Sequence, residues 1–415
     1  MNQQIAIVGA GIIGMSAARA LQRAGAAVTV YDPEEPGAVC SFGNAGNIAI
    51  DHVRPLARLD VLATVPRMLA DPLAPLCLKL AGLPRAWPWL WRVAVAARPA
   101  QERRGTRALA TLLGAARAAW DEEIRLSGLA DLFHTQGALV VYERPETLAA
   151  AAPDAQILRD HGVTVEMLSA DEANRRVPNL VQPVAGGRLY PDAAHTVDPH
   201  GVVSRLAERF IAEGGTIRRE RVTGFLLADG RVAGIQTPQR AETVGAVVLA
   251  TGLASRPLAE QLGARTPIGG ERGYHVMLEN GPTLDVSVTF ADRGFIATPM
   301  SMGLRLAGTV ELGAGVAPDW RRAEALLHHM RALYGRPDLR EASRWTGDRP
   351  TLPDYLPMLG ASPAARNVIF AFGHQHIGLT LAAITGRLVC DLVLDRPVEI
   401  DLTACRTDRF GRIAA

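Results

Sequence analysis

The stretch QQIAIVGAGIIGMSAARALQRAGAAVTVYD, residues 3–32, governs how the whole chain folds. Its apolar run Ile5–Val8 stops at Gly9-Ala10-Gly11-Ile12-Ile13-Gly14. Apolar residues then recur at helical spacing from Ile12 to Leu21, and a second β-like run, Val28–Tyr31, ends on Asp32. The order strand, tight turn, helix, strand gives each glycine its own task. Gly9 permits the turn, Gly11 lets backbone N–H groups reach a pyrophosphate, and Gly14 lets the helix lie close to the strand. Phosphates beside Ile13 would meet the positive end of the helix. Asp32, at the tip of the second strand, is placed to accept hydrogen bonds from a ribose diol. The three glycines alone would also fit an ordinary α/β turn. Strand, helix, second strand and terminal acid together predict a dinucleotide site.

The rest of the composition narrows the class. A chain of 415 residues, 48% of them hydrophobic, has the length for two or three domains with filled cores. Its 44 Lys and Arg are scattered and nearly balanced by 42 Asp and Glu, which argues against a nucleic-acid partner. Cys40, Cys77, Cys390 and Cys405 fall far apart, with no CxxC and no histidine at ligand spacing. That predicts neither a metal site nor a disulfide framework and fits a reducing compartment. The first strand begins at residue 5, so no signal peptide is expected, and no uninterrupted apolar run reaches membrane-spanning length. A cytoplasmic location is the expectation.

Behind Asp32 a turn cluster leads into Ser41-Phe42-Gly43-Asn44-Ala45-Gly46-Asn47, small and amide-bearing residues that suit a backbone following a ligand. Later come Glu271-Arg272-Gly273-Tyr274, then Arg305-Leu306-Ala307-Gly308-Thr309-Val310-Glu311. Asp348-Arg349-Pro350-Thr351 and Gly373-His374-Gln375-His376-Ile377-Gly378-Leu379-Thr380 follow. With GAGIIG and Asp32, this ordered set resembles the FAD-dependent D-amino acid oxidase superfamily, most closely its bacterial D-amino acid dehydrogenase branch. The resemblance runs from near residue 5 to near residue 395.

It implies an α/β fold: a Rossmann-like, glutathione-reductase-like three-layer FAD-binding domain with a mixed-sheet α+β substrate domain, the chain crossing between them several times. We assign residues 1–55, 190–262 and 343–415 to the first and 56–189 and 263–342 to the second. Residues 54–99 form an excursion rich in proline, with Trp87-Pro88-Trp89-Leu90-Trp91 at its centre. Its prolines predict short helical pieces joined by turns. Its aromatic residues beside Arg85, Arg92 and Arg98 suit either a bilayer interface or packing on the protein itself. Dehydrogenases of the branch it resembles work at the inner membrane, which implies peripheral contact with that surface.

Arg103–Leu126 reads as an amphipathic helix, Asp198-Pro199 as a helix start, and Val244–Thr251 as a buried strand returning to the nucleotide site. In flavoproteins of this kind the turn at Thr251-Gly252 passes the cofactor's phosphates and the backbone at Val222 touches the adenine. The resemblance implies non-covalent FAD held by Ser41, Asn44, Ala45, Gly46, Gly373, Gly378, Leu379 and Thr380 besides the opening loop. Cys390, in mid-helix, reads as packing.

The implied reaction oxidises a D-amino acid to an imino acid, or a cyclic substrate such as D-proline or its hydroxylated relatives to a cyclic imine. Hydride passes to flavin N5 and electrons leave for a quinone or another respiratory acceptor. An oxygen-using glycine- or sarcosine-oxidase-like enzyme, or the flavin subunit of an opine-oxidising complex, are the alternatives. Such chemistry needs a cation for the substrate carboxylate, and Arg349 stands where related enzymes carry one. Its planar fork binds both oxygens. The bland alternative is an ion pair of Arg349 with Asp348 or Asp354. His374 and His376 are candidates to receive the amine proton, since imidazole titrates near neutral pH. Some amine oxidases of this fold carry arginine in place of His376. Tyr274 is read as a substrate-side hydrogen-bond donor and Arg305 as a structural or rim residue. The start of the last helix, at Gly378-Leu379-Thr380, can stabilise negative charge on reduced flavin.

Overall fold

The computed structural model describes residues 4–313 and 317–413. The opening stretch folds into strand Ile5–Val8, helix Ile12–Arg23 and strand Val28–Tyr31. These two strands sit at the heart of a six-stranded sheet with Thr216–Arg218, Ala246–Leu249, Val368–Phe372 and Met358–Ala361. All of its pairings are parallel except the last, between Met358–Ala361 and Val368–Phe372. Both of its faces are covered, which is why the strands read as continuous apolar runs. The closing helix Gly378–Val393 packs along Ile12–Arg23, and a Cβ at Gly386 would stand 2.7 Å from the Ser16 carbonyl oxygen, so glycine sets that approach. Cys390 is buried in this helix, its Sγ 3.7 Å from the Ala20 carbonyl.

Gln375–Val393 is long and apolar enough to cross a bilayer, contrary to the expectation from sequence, but most of it is buried against the first helix and the sheet. Its apolarity is that of a core helix.

A second, nine-stranded sheet holds Glu341–Thr351, Gly269–Leu278, Gly303–Leu312, Phe295–Met300, Ser287–Phe290, Ala138–Tyr142, Gly186–Tyr190 and Glu166–Leu168 in that order, with Leu76–Leu78 beside Gly303–Leu312. Helix Arg321–Tyr334 covers one face. Strand Glu341–Thr351 corrects the assignment of residues 343 onward to the nucleotide-binding half. It pairs along its whole length with Gly269–Leu278, so the return to the first sheet comes after Thr351. A β-meander, Gly224–Ala228, Arg231–Gln236 and Ala241–Thr243, hangs from the first sheet through the Tyr31 hydroxyl, which donates to Glu242 at 2.6 Å.

The 29-residue helix Pro99–Ser127 packs on the closing helix: Trp120 Nε1 donates to the carbonyls of Leu379 (2.9 Å) and Thr380 (3.1 Å). The excursion before it forms helices Leu59–Ala70 and Leu83–Ala96. Pro66 and Pro88 lie inside these helices rather than ending them. Each removes one N–H, and on helices with at most one buried residue water can take up the carbonyl left over.

Candidate active site

A cleft of about 1610 Å³ runs from the glycine loop to strand Glu341–Thr351. Single drug-sized ligands occupy ~300–1,000 Å³, so this space suits a cofactor and a substrate together. At its nucleotide end Gly9 has φ +109°, and a Cβ there would stand 2.5 Å from the Ala250 carbonyl oxygen. A Cβ at Gly14 would collide with the carbonyl of Gly9, so the helix rests on the loop itself. Gly11 differs: a Cβ would meet only Ser41 Oγ, at an ordinary 3.5 Å. No protein atom demands glycine at position 11, whereas a pyrophosphate against the backbone would.

Around this loop the polar groups are set in advance. Asp32 accepts from the Ala10 N–H at 2.7 Å and from Glu34 N–H at 2.9 Å, holding the turn while its residue lines the cleft. Ser41 Oγ accepts the Ile12 N–H at 3.0 Å. The N–H groups that follow at the helix start have no acceptor within the helix and suit an anion. These features fit a dinucleotide cofactor. Gly9, Gly11, Ile13, Asp32, Ser41, Asn44, Ala45, Val222, Thr251, Gly252, Gly373, Gly378 and Leu379 all line the cleft.

Gly14, Gly46 and Thr380 do not. Gly46 takes φ +81° and donates to Asn44 Oδ1 at 2.8 Å, closing a turn. Thr380 is buried, and its hydroxyl accepts from Ala49 N–H at 3.0 Å. Both position the loop rather than touch the cleft. Arg305, buried rather than on a rim, does the same: its Nη1 donates to the carbonyls of Asn44 (2.6 Å) and Phe42 (3.3 Å). Burial pushes its guanidinium down to about 10.

At the other end, Arg349 is half-buried and opens onto the cleft. Strand Glu341–Thr351 faces Gly269–Leu278 in the register Glu271 to Arg349, Gly273 to Gly347, His275 to Trp345. The glycines make a floor: a Cβ at Gly273 would collide with the Arg349 guanidinium, and one at Gly347 with the Trp345 indole. Opposite Gly273 the register slips, Arg272 pairing with Glu311 but Tyr274 with Gly308, and Thr309 takes φ +58°. This bulge aims the Thr309 carbonyl at Arg349 Nη1, which donates to it at 3.2 Å. Asp348 pairs instead with Arg272 (3.0 Å) and Asp354 with Arg409 (2.7 Å). Among the described residues Arg349 has no carboxylate within ion-pair distance. Burial lowers its pKa, and the charge of nearby Glu271 opposes that shift. Glu271 is itself buried, accepts from Thr351 and Tyr355, and is pushed up by its burial.

Two expected site residues line the cleft with their polar groups already engaged by the protein. Tyr274 is buried with its hydroxyl occupied, donating to Glu311 at 3.1 Å and accepting from Asp319 N–H at 2.8 Å. Tyr274 lines the cleft, but its hydroxyl is engaged by these two partners rather than free. His374 is buried with Nε2 3.1 Å from Thr385 Oγ1 on the closing helix, and burial pushes it down to about 3. It stays neutral on the wall of the cleft. His376 opens onto the cleft, and its Nε2 contacts His52 Nδ1 at 3.0 Å. Nothing in the local sequence marked His52, which lies 324 positions away.

Comparison with known proteins agrees with this cleft. A family profile described as FAD dependent oxidoreductase (DAO) matches residues 4–392. A D-amino-acid oxidase of Bradyrhizobium diazoefficiens is 34% identical over 420 residues, covering 99% of both chains. A D-amino acid dehydrogenase of Paramagnetospirillum magneticum is 33% identical over 419 residues, covering 98% of this chain and 99% of that one. Among solved structures, glycine oxidase from Geobacillus kaustophilus superposes with a TM-score of 0.77 at 21% identity, over 98% of this chain and 99% of that one. L-proline dehydrogenase from P. horikoshii gives 0.76 at 17%, over 99% and 98%. These two show the fold alone. With a glycine loop built for a dinucleotide and a family match spanning nearly its whole length, the chain belongs to the DAO family of FAD-dependent oxidoreductases.

Proposed function

We propose that this chain is a D-amino acid dehydrogenase that binds its substrate carboxylate through Arg349. The observation that carries the reading is a guanidinium open to the cleft with one backbone carbonyl as its only hydrogen-bond partner among the described residues. A recessed cation with no carboxylate at ion-pair distance among the described residues favours an anionic ligand, and a planar fork suits a carboxylate. FAD, when bound, supplies the two-electron acceptor for the α-hydrogen. The protein's own part is positioning: Arg349, seated over Gly273, fixes the acid group. D-Proline and hydroxy-D-proline head the substrate panel. Relatives named D-amino-acid oxidase and D-amino acid dehydrogenase support the reaction class.

The electron acceptor is a membrane quinone in this reading. Helix Leu59–Ala70 buries none of its residues, and Trp87 and Trp91 are each 61% exposed on helix Leu83–Ala96. Residues 54–99 carry seven Lys and Arg against two Asp; Arg54, Arg58 and Lys79 pair with carboxylates, which leaves Arg67, Arg85, Arg92 and Arg98. An apolar, cationic face of this kind is complementary to an anionic lipid surface. The first relative's name keeps an oxygen-using oxidase as the second reading. Turnover of D- and L-amino acids with a quinone or dye acceptor, against peroxide release in air, tests both. Dye-linked turnover of D-isomers with little peroxide is expected, and peroxide in step with substrate loss selects the oxidase.

A further inference from the structure

His376 and His52 meet on the wall of the cleft beside Arg349. Their rings stand edge-on, centroids 4.9 Å apart, with Nε2 of His376 3.0 Å from Nδ1 of His52. The other nitrogen of His376, Nδ1, has no hydrogen-bond partner among the described residues. The other nitrogen of His52, Nε2, lies 3.9 Å from Oδ2 of Asp51. The His52 side chain is 42% exposed. We propose that His376, His52 and Asp51 form a proton relay that carries the proton of the substrate ammonium from the cleft to solvent.

The relay rests on the amine-oxidising reading above. Hydride leaves the α-carbon only as the nitrogen lone pair forms the C=N bond, so the ammonium must first lose a proton. Its N–H bond breaks as an N–H bond forms at His376 Nδ1. The Nε2–H of His376 passes to His52 Nδ1, leaving His376 neutral again. His52, now imidazolium beside the Asp51 carboxylate, releases its Nε2–H to solvent. One proton enters and one leaves, and both rings end as the opposite tautomers, which a reverse flip resets.

The direction follows from the surroundings. His376 lies deep, and burial, then His52, then Arg349 disfavour a resident charge, so it can pass a proton but not keep one. His52 is half in water with the Asp51 carboxylate 3.9 Å from its far nitrogen, so a proton that reaches it has an exit to solvent. Among the described residues, the charged and titratable groups around the pair include Arg349 from the edge strand, Asp51 from the same loop, and, beyond Asp51, Arg188 and Tyr190 from strand Gly186–Tyr190 and Tyr142 from strand Ala138–Tyr142. A lone His376 would trap its charge next to Arg349; the second ring removes it.

The test uses FAD-loaded full-length enzyme and a D-amino acid that bleaches the wild type, from about pH 6 to about pH 10, across the ionisation of a substrate ammonium. His52→Ala, His52→Gln and Asp51→Asn are compared with wild type. The expected result for the His52 variants is a loss in kcat/KM of about 10²-fold at neutral pH that closes toward high pH, where solution already supplies neutral amine. Asp51→Asn shows a smaller loss with the same pH signature. Added imidazole restores His52→Ala at neutral pH, while affinity for an unreactive carboxylate, read from the flavin spectrum, stays at the wild-type value. Losses equal at every pH without imidazole rescue, or no loss, overturn the relay alone. Failure of every D-amino acid to bleach the wild type overturns the functional reading and the relay with it.

Discussion

The Arg349 guanidinium lies on the backbone of Gly273, where only a hydrogen atom fits between them. The cation is therefore aimed by a missing side chain on the neighbouring strand and by the Thr309 carbonyl that the adjacent bulge presents. Gly273→Ala should push the guanidinium off this seat. We expect kcat/KM to fall by about 10²-fold with the flavin still bound, since misplacement by an ångström costs that much. Steady-state kinetics with flavin quantitation checks it.

Arg349→Ala should retain FAD and lose substrate affinity by about 10²-fold or more, the cost of removing a charged, bidentate partner. Arg349→Lys should recover only part of that loss, because an ammonium offers no planar fork. Substrate KM across the pair is the measurement.

Gly11 and Gly14 should fail in different ways. Gly14→Ala forces a Cβ into the Gly9 carbonyl and should destabilise the apoprotein by about 1–3 kcal/mol. Gly11→Ala meets only Ser41 Oγ, so the apoprotein should melt as wild type does while FAD affinity drops sharply. Thermal melts of the apo forms with FAD titrations separate the two.

Three buried histidines make stability fall in acid. Burial pushes His374 to about 3; burial and His134 push His195 to about 4; burial and Arg305 push His275 to about 4. Their ordinary value is 6.5, so between these limits the unfolded chain binds more protons than the folded one. The stability they contribute is whole above pH 6.5 and drains as pH falls toward 4, by about 1.4 kcal/mol per pH unit for each histidine. Urea midpoints of the apoprotein at neutral and mildly acid pH test the sign; a midpoint indifferent to pH would refute it.

Trp87→Ser with Trp91→Ser should abolish co-sedimentation with anionic vesicles and leave turnover with a soluble dye intact. Binding retained by the double variant, or equal binding to neutral vesicles, would remove this face from the reading.

Much of this was legible in the chain because its signals are local. Ile5 to Asp32 writes strand, turn, helix and strand within one unit, and the structure has all four. Other features depend on partners that no local pattern announces. Tyr274 looked free until Glu311 and Asp319 came to its hydroxyl, and His374 until Thr385 came to its ring. Arg305 holds the carbonyls of a loop more than 260 residues earlier, and His52 finds His376 across 324 positions. The edge strand Glu341–Thr351 was misassigned because its motif residues face the cofactor cleft while its backbone belongs to the other sheet.

The most direct test is anaerobic titration of the purified holoprotein with paired D- and L-amino acids, D-proline and hydroxy-D-proline included. The account predicts that D-isomers bleach the flavin, that their L-counterparts do not, and that Arg349→Ala stays yellow under the same conditions. Bleaching of Arg349→Ala at wild-type substrate concentrations, or no bleaching by any D-isomer, would contradict it.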